Sequence, residues 1–156
     1  DQNLIVESWT QEKPAGSSLW KINISGNGSV KKFADAGQNP SVSSDGQKVA
    51  YLVRDDSVKD AKPKQSLSVR ASKGTVLANL DLTESGFHSF GSKLFWNSTS
   101  DGLLLTAYGY EEGAAQKYLL YWDLKTRELQ KIKVEQSTEP LYIQDGKIVC
   151  VDGSIH

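Results

Sequence analysis

The chain has 156 residues, 38% of them hydrophobic and 24% charged, with a net charge of −1. That is the size and composition of one ordinary globular domain able to bury a core, not of a disordered segment. It shows no basic footprint of the kind a nucleic-acid binder carries, and no apolar run near the ~18 residues needed to cross a bilayer.

In chain order the signals are those of strands. Asn3 to Trp9 alternates loosely around Leu4, Ile5 and Val6. Ser18 to Ile24 puts Trp20, Ile22 and Ile24 on one face and Lys21 and Asn23 on the other, the period-two pattern of a half-buried strand. Ser25-Gly26-Asn27-Gly28 reads as a hairpin turn, because Gly and Asn accept positive φ at low cost, and Ser29 to Phe33 returns as the partner. A strand–turn–strand phrase follows, Pro40 to Tyr51 around Asp45-Gly46. The polar stretch Arg54 to Gln65 mixes acids and lysines and reads as a solvated loop or, alternatively, a partner-contacting one. A hairpin from Ser66 to Leu80 turns at Ser72-Lys73-Gly74, and Thr83 to Ser92 reads as a connection. Trp96 to Leu105 repeats the first phrase around Asp101-Gly102, and Gly109 to Lys117 is expected to be a longer polar loop. Tyr118 to Val134 is a third hairpin, with Trp122 in the place that Trp20 holds in the first. Pro140 to Val149 repeats the phrase again around Asp145-Gly146.

Naming the Asp-Gly hairpin strands a and b and the next hairpin c and d, the chain reads b-c-d, a-b-c-d, a-b-c-d, a-b, thirteen strands in all. Repeats of roughly 40–50 residues that each carry several strands are the signature of propeller blades. The expectation is therefore an all-β chain: a partial β-propeller of about three to three and a half four-stranded antiparallel blades, with blade parts 1–37, 38–83, 84–137 and 138–156.

Pro40-Ser41-Val42-Ser43-Ser44-Asp45-Gly46-Gln47-Lys48-Val49-Ala50-Tyr51 resembles the Pro-x-x-Ser-Pro-Asp-Gly-[Lys/Arg]-x-Ile-Ala-Phe repeat of TolB-like propellers and of the propeller domains of dipeptidyl peptidase IV-like enzymes. Leu120-Tyr121-Trp122-Asp123-Leu124-Lys125-Thr126 looks like the outer strand of such a blade. The copies around Asp101 and Asp145 are degenerate, Ser44 stands where the family has proline, and Trp96 replaces the proline seen at Pro40 and Pro140. The motif residues shape turns, so the resemblance implies a fold and not an activity.

Propellers close with typically 4–8 blades, and this chain supplies fewer whole ones. It is expected to be completed by another polypeptide, the remaining part of the same precursor or a second copy. Methionine is absent, so Asp1 is not expected to be a translation start. A removed leader or a piece of a longer chain are both open, and the compartment is expected to be extracytoplasmic, periplasmic or secreted.

No catalytic residue, metal site or cofactor site is selected. There is no Gly-x-Ser-x-Gly elbow, and the histidines are His88 and His156. Cys150 is the single cysteine, so neither an intrachain disulfide nor a Cys–His zinc cluster can form, and in Ile148-Val149-Cys150-Val151 it is expected to be a small buried side chain. Candidate ligand or partner contacts are Trp9, Phe87, His88, Phe90, Tyr108, Tyr110 and Glu111, gathered near b-strand ends and d–a connections, with Tyr110 expected to be exposed. Sequons start at Asn23, Asn27 and Asn97. Three readings stay open: a non-catalytic binding scaffold, the gating propeller segment of a serine peptidase whose catalytic domain lies outside this chain, and a glycan-binding module.

Overall fold

The computed structural model describes residues 3–8, 17–25, 28–55, 64–144 and 147–152. Thirteen strands run through them: β1 (Asn3–Ser8), β2 (Ser18–Asn23), β3 (Val30–Ala34), β4 (Gln38–Val42), β5 (Lys48–Asp55), β6 (Lys64–Ala71), β7 (Val76–Asp81), β8 (Phe87–Trp96), β9 (Gly102–Glu111), β10 (Ala114–Asp123), β11 (Leu129–Val134), β12 (Thr138–Gln144) and β13 (Lys147–Asp152). They form antiparallel meanders in chain order: β1-β2-β3, β4 to β7, β8 to β11, and β12-β13. The first and last sheets thus have three and two strands, and the two between them have four. The chain divides into two compact units, Asp1–Val42 with Gly46–Thr83, and Ser43–Asp45 with Glu84–His156.

In the first unit, Leu19, Phe33, Ala34, Val49 and Tyr51 form the core, with Ile5 and Val53 packed against it. Phe33 meets the Tyr51 ring edge-on, centroids 6.5 Å apart. A bulge opposite Leu19 pairs it with Ala34 and Trp20 with Lys32, so Phe33 is an extra residue in β3. Both Phe33 and Ala34 are thereby buried. This corrects the reading of β2. The face turned to the core carries Leu19, fully buried, together with Lys21; Trp20 and Ile22 are only half-buried, and Ile24 is 58% exposed. Alternation identified two faces, but which one is covered depends on the neighbouring sheet.

In the second unit, Leu104, Leu119 and Ile143 are the buried centre of a cluster completed by Phe95, Tyr121, Val134 and Ile148. The other face of the four-stranded sheet, with Leu103, Leu105, Leu120 and Trp122, is buried too. Lys117, 1% exposed, forms an ion pair with Glu139 of β12 and donates to the carbonyl of Gln136 at 3.2 Å.

Two of the three Asp-Gly turns lie among the described residues. At the second, the Asn97 Oδ1 accepts from the backbone N–H groups of Asp101 and Gly102, each at 3.0 Å, while its Nδ2 donates to the Asp101 carboxylate at 2.7 Å. Thr99 and Lys125 bind the same carboxylate, and these donors hold the Asp101 pKa far below the ordinary carboxylate value, Lys125 contributing most. Gly102 is required there: a Cβ would stand 2.1 Å from the Tyr121 hydroxyl. The Asn97 side chain is therefore committed to the turn. Asp145 and Gly146, in the third turn, lie outside the described residues.

Three connections differ from expectation or escape description. Gly109 to Lys117 is not a loop: β9 and β10 pair without interruption up to Glu111 opposite Ala114. Glu112 and Gly113 supply positive φ values of 51° and 82°, the two-residue type I′ turn that fits strand twist. Thr83 to Ser92 shortens likewise, because β8 already begins at Phe87. Most of Arg54 to Gln65 lies outside the described residues. Cys150 is exposed, not buried: it sits on β13, which has one pairing neighbour in its sheet, and the shielding it retains pushes its thiol pKa up.

Candidate functional site

Six of the seven candidate contact residues come together where β8 begins and β9 ends; Trp9 lies outside the described residues. Register divides the six. Phe87 pairs with Gly109 and Phe90 with Ala107, whereas Ser89 pairs with Tyr108, so a bulge inserts His88. By alternation Phe87, Phe90 and Glu111 share one face of the sheet, and Tyr108 and Tyr110 the other.

On the first face, Phe87 is 5% exposed and meets Phe90 at 6.0 Å and Tyr118 at 5.5 Å between centroids. Gly109 makes room for it, since a Cβ there would lie 3.3 Å from the Phe87 ring. Tyr118, opposite Ala107 on β10, is also opposite Lys133 on β11. Lys131 Nζ sits 4.0 Å from the Tyr118 ring centroid and 5.2 Å from that of Phe87, within cation–π range. Lys133 Nζ donates to Glu111 Oε2 at 2.6 Å, and the Tyr118 hydroxyl donates to the same oxygen at 3.4 Å. Lys133 is the main cause of a lowered Glu111 pKa, and Glu111 in turn raises that of Lys133. Desolvation, then Glu111, raises that of Tyr118. The carboxylate is held ionised and the phenol protonated, an arrangement suited to packing and charge neutralisation and unsuited to proton transfer near neutral pH.

On the other face, His88 stacks on Tyr110, centroids 4.9 Å apart and planes 30° from parallel. Tyr110 is 68% exposed, so its ring is open to a ligand. Tyr108 is half-buried beneath the buried Lys117, whose Nζ is 5.9 Å from its ring centroid. It lines a cavity of about 390 Å³ together with Thr106, Phe95, Glu139 and Leu141. Sequence reading missed Tyr118, Lys131 and Lys133. The spacing Lys131-x-Lys133 on a strand carried the signal, because it repeats with the pleat and puts both lysines on one face. Among the described residues, no group of three His, Cys, Asp or Glu side chains is placed to hold a metal ion.

No protein-family model matches the chain, and no curated protein matches it. Solved structures do. The β-propeller domain of the Trilobed protease from Pyrococcus furiosus, described as having an open velcro topology, is similar over 89% of this chain and 41% of its own, with 14% identity and a TM-score of 0.62. The acylaminoacyl peptidase of Pyrococcus horikoshii is similar over 92% of this chain and 24% of its own, with 14% identity and a TM-score of 0.63. The fold is that of a partial β-propeller. Two of the four meanders have the four strands of a propeller blade, and the other two have three and two among the described residues. The chain spans less than half the length of one of these neighbours and about a quarter of the other.

Proposed function

We propose that this propeller portion is a non-catalytic interaction scaffold whose incomplete blades are completed by another polypeptide, the remainder of the same precursor or a second copy. One observation carries the reading. The face of the three-stranded blade turned away from its core carries Leu4, Val6, Trp20, Ile22 and Val30 in matched register. Leu4 and Val30 on that face are 48% and 56% exposed. On the two-stranded blade, Leu141, Tyr142 and Val151 are 44–50% exposed. Apolar faces of this kind on incomplete sheets invite association. A neighbouring blade is the occupant that suits them, because in a propeller each sheet packs face to face on the next, and both structural neighbours are longer than this chain.

Sedimentation velocity tests the proposal. The chain alone is expected to self-associate, and the Leu4→Lys, Val30→Lys double variant to sediment closer to a monomer. A wild-type monomer that melts cooperatively overturns the reading. Mass spectrometry of native material then shows whether the companion is a second polypeptide.

A second reading, the propeller segment of a serine peptidase, is favoured by the names of the two neighbours, a protease propeller and a peptidase. An α/β-hydrolase segment encoded in the same reading frame supports it, and its absence removes it. The exposed Tyr110 ring stacked on His88 also suits a sugar face. A glycan array on wild type and Tyr110→Ala tests that contact, and no binding by either protein removes it.

A further inference from the structure

We propose that a cavity in the first unit, lined by Lys21, Lys31 and Lys73, binds a small molecule bearing phosphate or sulfate groups. The inference is independent of how the blades are completed. It starts from register: Lys21 of β2 and Lys31 of β3 are direct cross-strand partners. Side chains so paired project from the same face with their Cβ atoms about 5 Å apart, and like charges in that relation repel. Two residues along β2 the same face is polar again at Asn23, while in the other direction it is the core residue Leu19. The face therefore changes from apolar to basic along the strand.

The β6–β7 turn of the next sheet closes this basic end. Lys21 is half-buried and its Nζ donates to the carbonyl of Ser72 at 3.0 Å, which brings Lys73 to the same cavity. Lys32 borders the cavity as well, but it pairs with Trp20 and its ammonium lies over that ring, on the opposite face of the sheet. This open cleft has a volume of about 400 Å³, within the range of small-molecule sites. No carboxylate lines it among the described residues. Lys32 has an ion pair with Asp35, whose side chain is 92% exposed and stands outside the lining. Lys31 and Lys73 have no carboxylate partner among the described residues.

The hydrogen-bonding inventory also runs one way. Ammonium groups donate and cannot accept. The Asn23 Oδ1 already accepts from the Ser25 N–H at 3.1 Å, so its amide group presents Nδ2 as a donor. Three cations and an amide donor gathered in a concavity, on a chain whose net charge is −1, match a multiply charged oxyanion.

Isothermal titration of the full chain at low ionic strength tests this with inorganic phosphate, tripolyphosphate and a sulfated disaccharide as probes. At least one multiply charged probe is expected to bind with sub-millimolar affinity. Preference for tripolyphosphate assigns a phosphate ester, preference for the disaccharide a sulfate ester, and equal binding the shared oxyanion chemistry. The Lys31→Gln, Lys73→Gln variant keeps the Lys21–Ser72 bond and is expected to bind at least ten-fold more weakly. Lys147→Gln, on β13 and exposed, is expected to bind as wild type does. Absence of binding by all three probes overturns the proposal. So does unchanged affinity in the double variant, or an equal loss in Lys147→Gln, which marks unspecific attraction.

Discussion

Trp20 and Trp122 occupy the same place in two blades, the c strand of a meander, and end in different surroundings. Trp122, in a four-stranded sheet with both faces buried, is 1% exposed. Trp20, in the three-stranded sheet, lies on the face turned away from the core and is half-buried, with Lys32 Nζ 5.6 Å from its ring centroid. Sequence position sets where a side chain points on the pleat. Burial depends on whether another layer exists on that side.

The largest expected effect tests this contrast directly. Trp122→Ala should cost about 3–5 kcal/mol in urea unfolding, because it opens a large cavity that the sheet cannot collapse into. Trp20→Ala should cost about 1–2 kcal/mol, having less buried area to lose. Equal costs would show that the open face of the first blade is covered in solution.

The next effect concerns the link between the four-stranded sheet and the two-stranded one. Glu139→Gln leaves the buried Lys117 ammonium without its counter-charge and, since Glu139 is itself 58% exposed, should destabilise the chain by about 2 kcal/mol, less than a fully buried pair would cost. Lys117→Met removes the charge and refills the volume, so its cost should stay within about 1 kcal/mol. If the order reverses in the same denaturation assay, Glu139 is not what compensates the lysine.

A pH effect follows from the β8–β9 turn. The folded pKa of Asp101 lies below its unfolded value, so the unfolded chain binds the proton more readily. The stabilisation is complete at neutral pH and is lost as pH falls below about 4. The melting temperature of wild type should exceed that of Asp101→Asn at pH 7, and the gap should narrow towards pH 2. A constant gap would assign the difference to turn geometry and not to charge.

The smallest effect is expected at Tyr110. Its ring is mostly exposed, so Tyr110→Ala should change unfolding free energy by no more than about 0.5 kcal/mol. A larger loss would mean that the His88 stack is structural.

Strand order and turn positions were legible because they depend on local chemistry. Asp-Gly pairs permit tight reversals and period-two runs make strands, whatever surrounds them. Gly109 to Lys117 was misjudged because its polar composition resembles a loop, while the Glu112-Gly113 turn needs only two residues to reverse the chain. The candidate contacts were located as a group, yet their division between two faces needed the bulge that inserts His88, and a bulge leaves no periodic trace.

By itself the sequence determined a meander of short antiparallel strands and the turns that join them, because those depend on neighbours a few residues away. The tertiary structure alone decided that Leu19 and not Trp20 faces the core, that Lys21 enters a cavity, and that Cys150 is exposed. Each of these outcomes depends on which sheet, if any, lies against a given face, and alternation along one strand carries no record of that.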